Sequence, residues 1–159
     1  MLEMEMFRKI VDELYKQTFY LTLYFQGEPY LNKSFFDFVE YAENKGIYTA
    51  TSTNAHYLHD LNAKKTVESG LSRLIISVDG ATKETYASYR RGGKLEKVLE
   101  GARNVVKWKR ELGATRPYII FQFLVVHPNE QEMDEIERIA DEVGVDELKF
   151  KTAQVYNYK

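Results

Sequence analysis

Arg73 to Gly80, RLIISVDG, is the stretch on which the fold turns. Leu74, Ile75, Ile76 and Val78 form a short, nearly continuous apolar run rich in β-branched residues, and Asp79-Gly80 stops it. A run of that length, bounded by a turn signal, reads as a strand buried on both faces. Such strands belong to parallel sheets covered by helices. Helical patterns therefore have to flank it, and they do. Residues 56–69 read as a weak helix ending at Gly70. On the other side lie a short helix at Lys83–Tyr89, a YRRGG loop and a strong helix over 94–112. In the last of these Leu95, Val98, Leu99, Ala102, Val105, Val106 and Leu112 share a face before Gly113.

The pattern repeats outward. Upstream, residues 4–16 are a helix (Phe7, Ile10, Val11, Leu14, Tyr15), 19–26 a strand closed by Gly27, 33–45 a helix closed by Gly46, and Ile47–Thr53 a strand. Downstream, YIIFQFLVV (Tyr118–Val126) is the longest apolar strand. A helix follows with Met133, Ile136, Ile139, Ala140 and Val143 on one face, Asn129 as a candidate cap and Gly144 at its end. DELKFK (Asp146–Lys151) is the final strand. The order is one helix, four strand–helix units and a strand, an α/β chain with a parallel sheet and right-handed crossovers. It opens on a helix with no strand before it and closes on a strand with no covering helix before AQVYNYK, which reads as a fragment of a larger protein.

Bulk properties narrow the function. The 159 residues fit one domain, and a net charge of −2 lacks the basic footprint of a nucleic-acid binder. No apolar run is long enough to span a bilayer, and the N-terminus MLEMEMFRKI has no signal core. The expected location is the cytoplasm, with no membrane partner. There is no cysteine, so these residues supply no disulfide, no thiolate nucleophile and no cluster ligand. His56 and His59, three apart at the start of a weak helix, read as solvated surface residues rather than a metal pair.

Ligands of parallel α/β folds collect at the C-terminal ends of the strands. At these ends the sequence places Gln26-Gly27-Glu28-Pro29, Ser52-Thr53-Asn54, Ser77 with Asp79-Gly80, Gln122 with His127 and Asn129, and Lys149 with Lys151. Taken singly, Glu28 suits a loop, Asp79-Gly80 a turn, Asn54 a helix cap, and Arg90-Arg91 a solvated basic loop. Gln122 stands in an apolar strand, where an amide needs a partner. The set is more telling than its members. Phosphate-loop, dinucleotide and serine-hydrolase signatures are missing.

The succession GEP, TSTNA, IISVDGATKETYASYRRGG, IIFQFLVVHPNEQEM and GVDELKF resembles the radical S-adenosylmethionine (radical SAM) enzymes over nearly the whole chain, and most of all the SPASM-like branch. The resemblance implies a partial (β/α)6, TIM-like barrel, with residues 1–159 carrying strands two to six and the first strand missing. It implies that Gly27-Glu28-Pro29 receives the methionine ammonium of S-adenosylmethionine. Thr53 and Asn54 would line the cofactor or substrate side. Ser77 and Asp79 would meet its ribose or methionine portion, Arg90 (with Arg91 adjacent) its carboxylate, and Gln122 its ribose. The family's [4Fe–4S] cluster is held by a CxxxCxxC loop after the first strand. That loop has no counterpart here, so the cluster is expected only in a full-length parent and the chain alone is expected to be inactive.

Two other readings stay open: a non-catalytic domain binding a small ligand or partner, and a carboxylate hydrolase using Glu28 and Asp79. The substrate is left open between a peptide or protein and a small molecule. With the preceding barrel strand missing, LTLYF is expected to present an open sheet edge and to drive self-association through it.

Overall fold

The computed structural model describes residues 2–153. Its elements are α1 (Met4–Leu14), β1 (Tyr20–Thr22), a 3-10 turn (Pro29–Leu31), α2 (Phe35–Asn44), β2 (Tyr48–Thr53), α3 (Asp60–Glu68), β3 (Arg73–Ser77), α4 (Lys83–Tyr89), α5 (Leu95–Glu111), β4 (Tyr118–Val125), a second 3-10 turn (Glu130–Glu132), α6 (Met133–Val143) and β5 (Glu147–Thr152). The five strands form one sheet in the order β1-β2-β3-β4-β5, every neighbouring pair parallel.

That order has a geometric consequence. Right-handed crossovers that always step the same way place their helices on a single face of the sheet. The sheet is therefore the wall of a partial barrel, with helices outside. Leu74, Ile76 and Val78 of the β3 segment and Ile119, Phe121 and Phe123 of β4 point outward and are fully buried in the main core with Val98, Ala102 and Val105 of α5. A second cluster joins Phe7 and Val11 of α1 to Phe38 and Ala42 of α2 and to Ile47, with the Phe7 and Phe38 rings stacked at 4.4 Å.

The opposite face meets the expectation of burial on both faces only in part: Ala50 and Ile120 on it are buried. Ile75 and Gln122 are half-buried and Lys149 is exposed, while Ser77 is buried. The register aligns Ser77 with Gln122 and Gln122 with Lys149, a polar row across three strands near their C-terminal ends. A parallel strand that lines a lumen carries such polar groups without breaking the outer core.

The element boundaries show where local signals fail. Gly46, Gly70, Gly113 and Gly144 end their helices at φ of 78°, 76°, 59° and 80°, as the sequence implied. The first strand, read as 19–26, pairs over Tyr20–Thr22 only, extended by single bonds from Tyr48 N–H to the Phe19 carbonyl and from Leu23 N–H to the Ala50 carbonyl. Its remaining aromatics, Tyr24 and Phe25, are exposed, so nothing holds them in the ladder. The helix read as 56–69 starts at Asp60, which puts His56 in the preceding turn. Residues 154–159 of the closing segment lie outside the described residues.

Candidate functional site

At the end of β1 the chain turns through Gly27, at φ 83°, and presents Glu28. Pro29 sits at the start of the 3-10 turn, where its missing N–H costs nothing. Tyr30 anchors the turn from below. It is buried, its hydroxyl lies 2.9 Å from Thr66 Oγ1 of α3, and burial pushes its phenol well above the ordinary value.

Glu28 is half-buried and closely held. Thr53 donates its hydroxyl to Oε1 at 2.7 Å and Tyr30 N–H donates to the same oxygen at 3.3 Å, while Asn54 N–H donates to Oε2 at 2.9 Å. A carboxylate offers about four lone-pair sites. Three are taken, and the open one lies on Oε2. Thr53 and Asn54, picked out by sequence as ligand-lining residues, act in this geometry on Glu28: Thr53 through its hydroxyl, Asn54 through its main chain. Asn54 does not cap α3. Its Oδ1 accepts from His56 N–H at 3.0 Å, and the residue between them, Ala55, takes a left-handed φ of 61°, an uncommon conformation for a residue with a Cβ.

Asp79, at the end of the β3 segment, is almost fully buried, and both its oxygens are engaged. Arg90 donates Nε to Oδ2 at 2.6 Å, and Leu124 N–H donates to Oδ1 at 3.3 Å. Arg90 is itself partly exposed, with its guanidinium carbon 5.9 Å from the centre of the Tyr89 ring. The sequence reading of Asp79 as a direct cofactor contact thus meets a carboxylate whose bonds go to the protein.

Two residues of the NEQE run hold loops together: Asn129, read from the sequence as a helix cap and a strand-end polar group, and Glu132, quoted there only within the family resemblance. Asn129 is not a side-chain cap. It is buried, donates to the Asp79 and Leu124 carbonyls and accepts from Val126 N–H, stitching the loop after β3 to the loop after β4. Glu132 accepts from Ala81 N–H at 2.7 Å and from the hydroxyls of Thr82 and Thr85, fixing the start of α4 and so the helix that ends at Arg90. Gly80 lets α4 come this close, because a Cβ there would stand 2.4 Å from the Tyr86 nitrogen.

Between the Asn54 turn and the Arg90–Gly93 loop opens a cleft of about 440 Å³ lined by Asn54, His56, Tyr86, Arg90 and Arg91 among others. Sequence reasoning missed His56, which it placed on a solvated helix start, and Tyr86, a buried ring whose hydroxyl has no partner among the described residues. His127 is exposed and takes no part. Among the described residues no three acidic or histidine side chains converge as a metal site, and no helix is long and apolar enough to cross a membrane.

The family model described as the Radical SAM superfamily matches residues 1–143. The "Tungsten-containing aldehyde ferredoxin oxidoreductase cofactor-modifying protein" of Pyrococcus furiosus is 27% identical over 153 residues, covering 92% of this chain and 42% of that protein. A "GTP 3',8-cyclase" of Hydrogenovibrio crunogenus is 42% identical over 77 residues, 47% of this chain and 23% of that protein. The chain therefore spans less than half the length of either relative. The crystal structure of Streptococcus suis SuiB superposes with a TM-score of 0.73 at 14% identity, over 95% of this chain and 34% of SuiB. Its forms bound to S-adenosylmethionine and to precursor peptide SuiA give 0.72 and 0.70. At that identity the likeness speaks for the fold, a partial TIM-like barrel.

Proposed function

The chain belongs to the Radical SAM superfamily, and from that premise we propose that residues 1–159 form the cofactor-binding core of an enzyme that uses S-adenosylmethionine to abstract hydrogen from its substrate. The observation that carries this reading is the Glu28 carboxylate, fixed at a strand end by three donors with one acceptor site open. An ammonium is the natural partner for it, since a charge-assisted bond to a preoriented carboxylate is about twice as strong as a neutral one.

In this reading Glu28 holds the methionine ammonium, and the free end of Arg90, aimed by Asp79, holds the methionine carboxylate. Ser77 and Gln122, paired in register on the lumen face, take the ribose hydroxyls. Bound S-adenosylmethionine would supply the hydrogen-abstracting radical once a one-electron donor held outside these residues reduces it. The [4Fe–4S] cluster of this superfamily does not fit these residues, which include no cysteine, so its ligands are assigned to polypeptide outside them. SuiB, described bound to S-adenosylmethionine and to a precursor peptide, supports a small-molecule cofactor and makes a peptide the first substrate class to try.

Calorimetric titration of S-adenosylmethionine into the intact protein and its Glu28→Gln variant tests the assignment. Glutamine keeps the shape and removes the charge. The expected loss in affinity is at least about tenfold, the value of one charge-assisted hydrogen bond. Equal affinity of the two proteins would remove Glu28 from the site.

A further inference from the structure

His56 stands where two halves of the site meet. The Lys94 N–H, at the head of α5, donates to His56 Nε2 at 2.9 Å, and His56 Nδ1 lies 2.9 Å from the Asn54 carbonyl oxygen. The chemistry of these partners leaves one protonation state. A main-chain N–H only donates, so Nε2 must be a bare acceptor. A carbonyl only accepts, so Nδ1 must carry the proton. The ring is the neutral Nδ1–H tautomer, bolted at both ends.

The bolt joins specific parts. On one side, Asn54 N–H holds Glu28 Oε2 and Asn54 Oδ1 accepts from His56 N–H. On the other, Lys94 follows Gly92-Gly93 and the Arg90 whose Nε is paired with Asp79. Gly93 passes close to the Tyr86 ring, where an added Cβ would lie 2.8 Å from it. The turn carrying His56 is constrained, with Ala55 at positive φ and its carbonyl packed against Gly101 of α5.

We propose that His56 is a positioning residue that sets the spacing between Glu28 and Arg90, and that its protonation releases that spacing. The spacing matters because these groups are assigned to the ammonium and carboxylate of one amino-acid moiety, so this inference rests on the cofactor reading above. A proton on Nε2 leaves two N–H groups facing each other across the Lys94 contact. The charged groups around the ring are Arg90 and Arg91 along the cleft, Lys94 at the head of α5, Lys97 and Glu100 with His59 on the side toward α5, and Glu28 through Asn54.

Two measurements decide it. Long-range 1H–15N correlation on the histidine-labelled protein at pH 8 reads the tautomer without any ligand. An Nδ1–H signature for His56 is expected, and an Nε2–H or charged ring would overturn the bolt. Calorimetric affinity for S-adenosylmethionine is then followed from pH 8 to pH 5.5 in the intact protein, His56→Gln and His56→Leu. Wild type is expected to weaken about tenfold toward acid, the worth of one hydrogen bond. Glutamine, whose amide oxygen can accept from Lys94 but does not titrate in this range, should lose that pH response, while leucine should bind weakly at every pH. A leucine variant that binds like wild type, or a glutamine variant that keeps the acid response, overturns the proposal. Absence of cofactor binding in wild type with an Nδ1–H ring would sink the cofactor reading and this inference's functional half, leaving the bolt as architecture.

Discussion

At the scale of single residues, the polar hubs separate into those that position ligand-facing groups and those that hold the barrel together. Glu43, at the end of α2, belongs to the second kind. Its Oε1 accepts from Thr49 N–H at 2.9 Å, Thr49 hydroxyl at 2.5 Å and Ser72 hydroxyl at 2.6 Å, while Oε2 accepts from Arg116 at 3.0 Å. One mostly buried side chain thus ties α2 to β2 and to the segments entering β3 and β4, at the end of the sheet opposite the site. Glu43→Ala leaves those donors to find water and should cost about 2–4 kcal/mol. Glu43→Gln keeps one oxygen for the Thr49 and Ser72 donors and turns an amide toward Arg116, so its cost should be about half as large. Urea midpoints of the two variants check the order, and an alanine variant as stable as wild type would show that water replaces the carboxylate freely. Nothing in the sequence marked Glu43, because a glutamate in an amphipathic helix looks the same whether it meets solvent or four donors. Glu28 was legible because glycine and proline bracket it. His56 was not, because its partners lie at a neighbouring carbonyl and 38 residues downstream.

At the scale of elements, the alternation of helix, glycine and strand was readable because each signal is local: an apolar stripe, a positive-φ terminator, a β-branched run. The length of β1 was not, since an edge strand ends where its one neighbour stops pairing with it. Nor was the role of Gly101, which lies inside α5 and looks like a weak point in a helix. In the fold it is the place where α5 rests on the turn carrying His56. A Cβ there would stand 2.7 Å from the Ala55 carbonyl oxygen and 2.9 Å from Leu58 Cβ. Gly101→Ala gains about 1 kcal/mol of helix propensity. It also forces backbone apart, an overpacking that costs about 1–3 kcal/mol. Because the nearest obstacle is main chain rather than a flexible side-chain end, the clash should win. The variant should be less stable by thermal unfolding and should bind S-adenosylmethionine more weakly through the displaced His56 turn. A stabilised variant with unchanged affinity would show that the α5 contact is slack.

At the scale of the whole molecule, one face of the sheet is sealed by helices and the ends of the strand order differ in character. β5 presents alternating charge, with Lys149 and Lys151 exposed and Lys149 within 3.2 Å of Glu147, a common protection against edge-to-edge pairing. β1 is only three residues long and is flanked by aromatics in water: Phe19 is 83% and Phe25 93% exposed, with Tyr20 and Tyr24 also open. Shortness blunts an edge, whereas exposed aromatic rings on both sides of it favour contact with another chain. The area of apolar surface is the larger effect, because three residues of ladder give few inter-chain bonds while a ring removed from water contributes about 1.5–3 kcal/mol. The 159-residue chain by itself should therefore self-associate as its concentration rises, through the β1 side. Phe19→Lys removes an exposed ring and adds a charge at the edge without touching the core, so it should shift the weight-average mass in light scattering toward the monomer. A wild-type chain that stays monomeric at millimolar concentration, or a lysine variant that associates equally, would place the sticky surface elsewhere. The same edge is where an additional parallel strand would extend the barrel, so a longer polypeptide that supplies one should abolish both the association and the effect of Phe19→Lys.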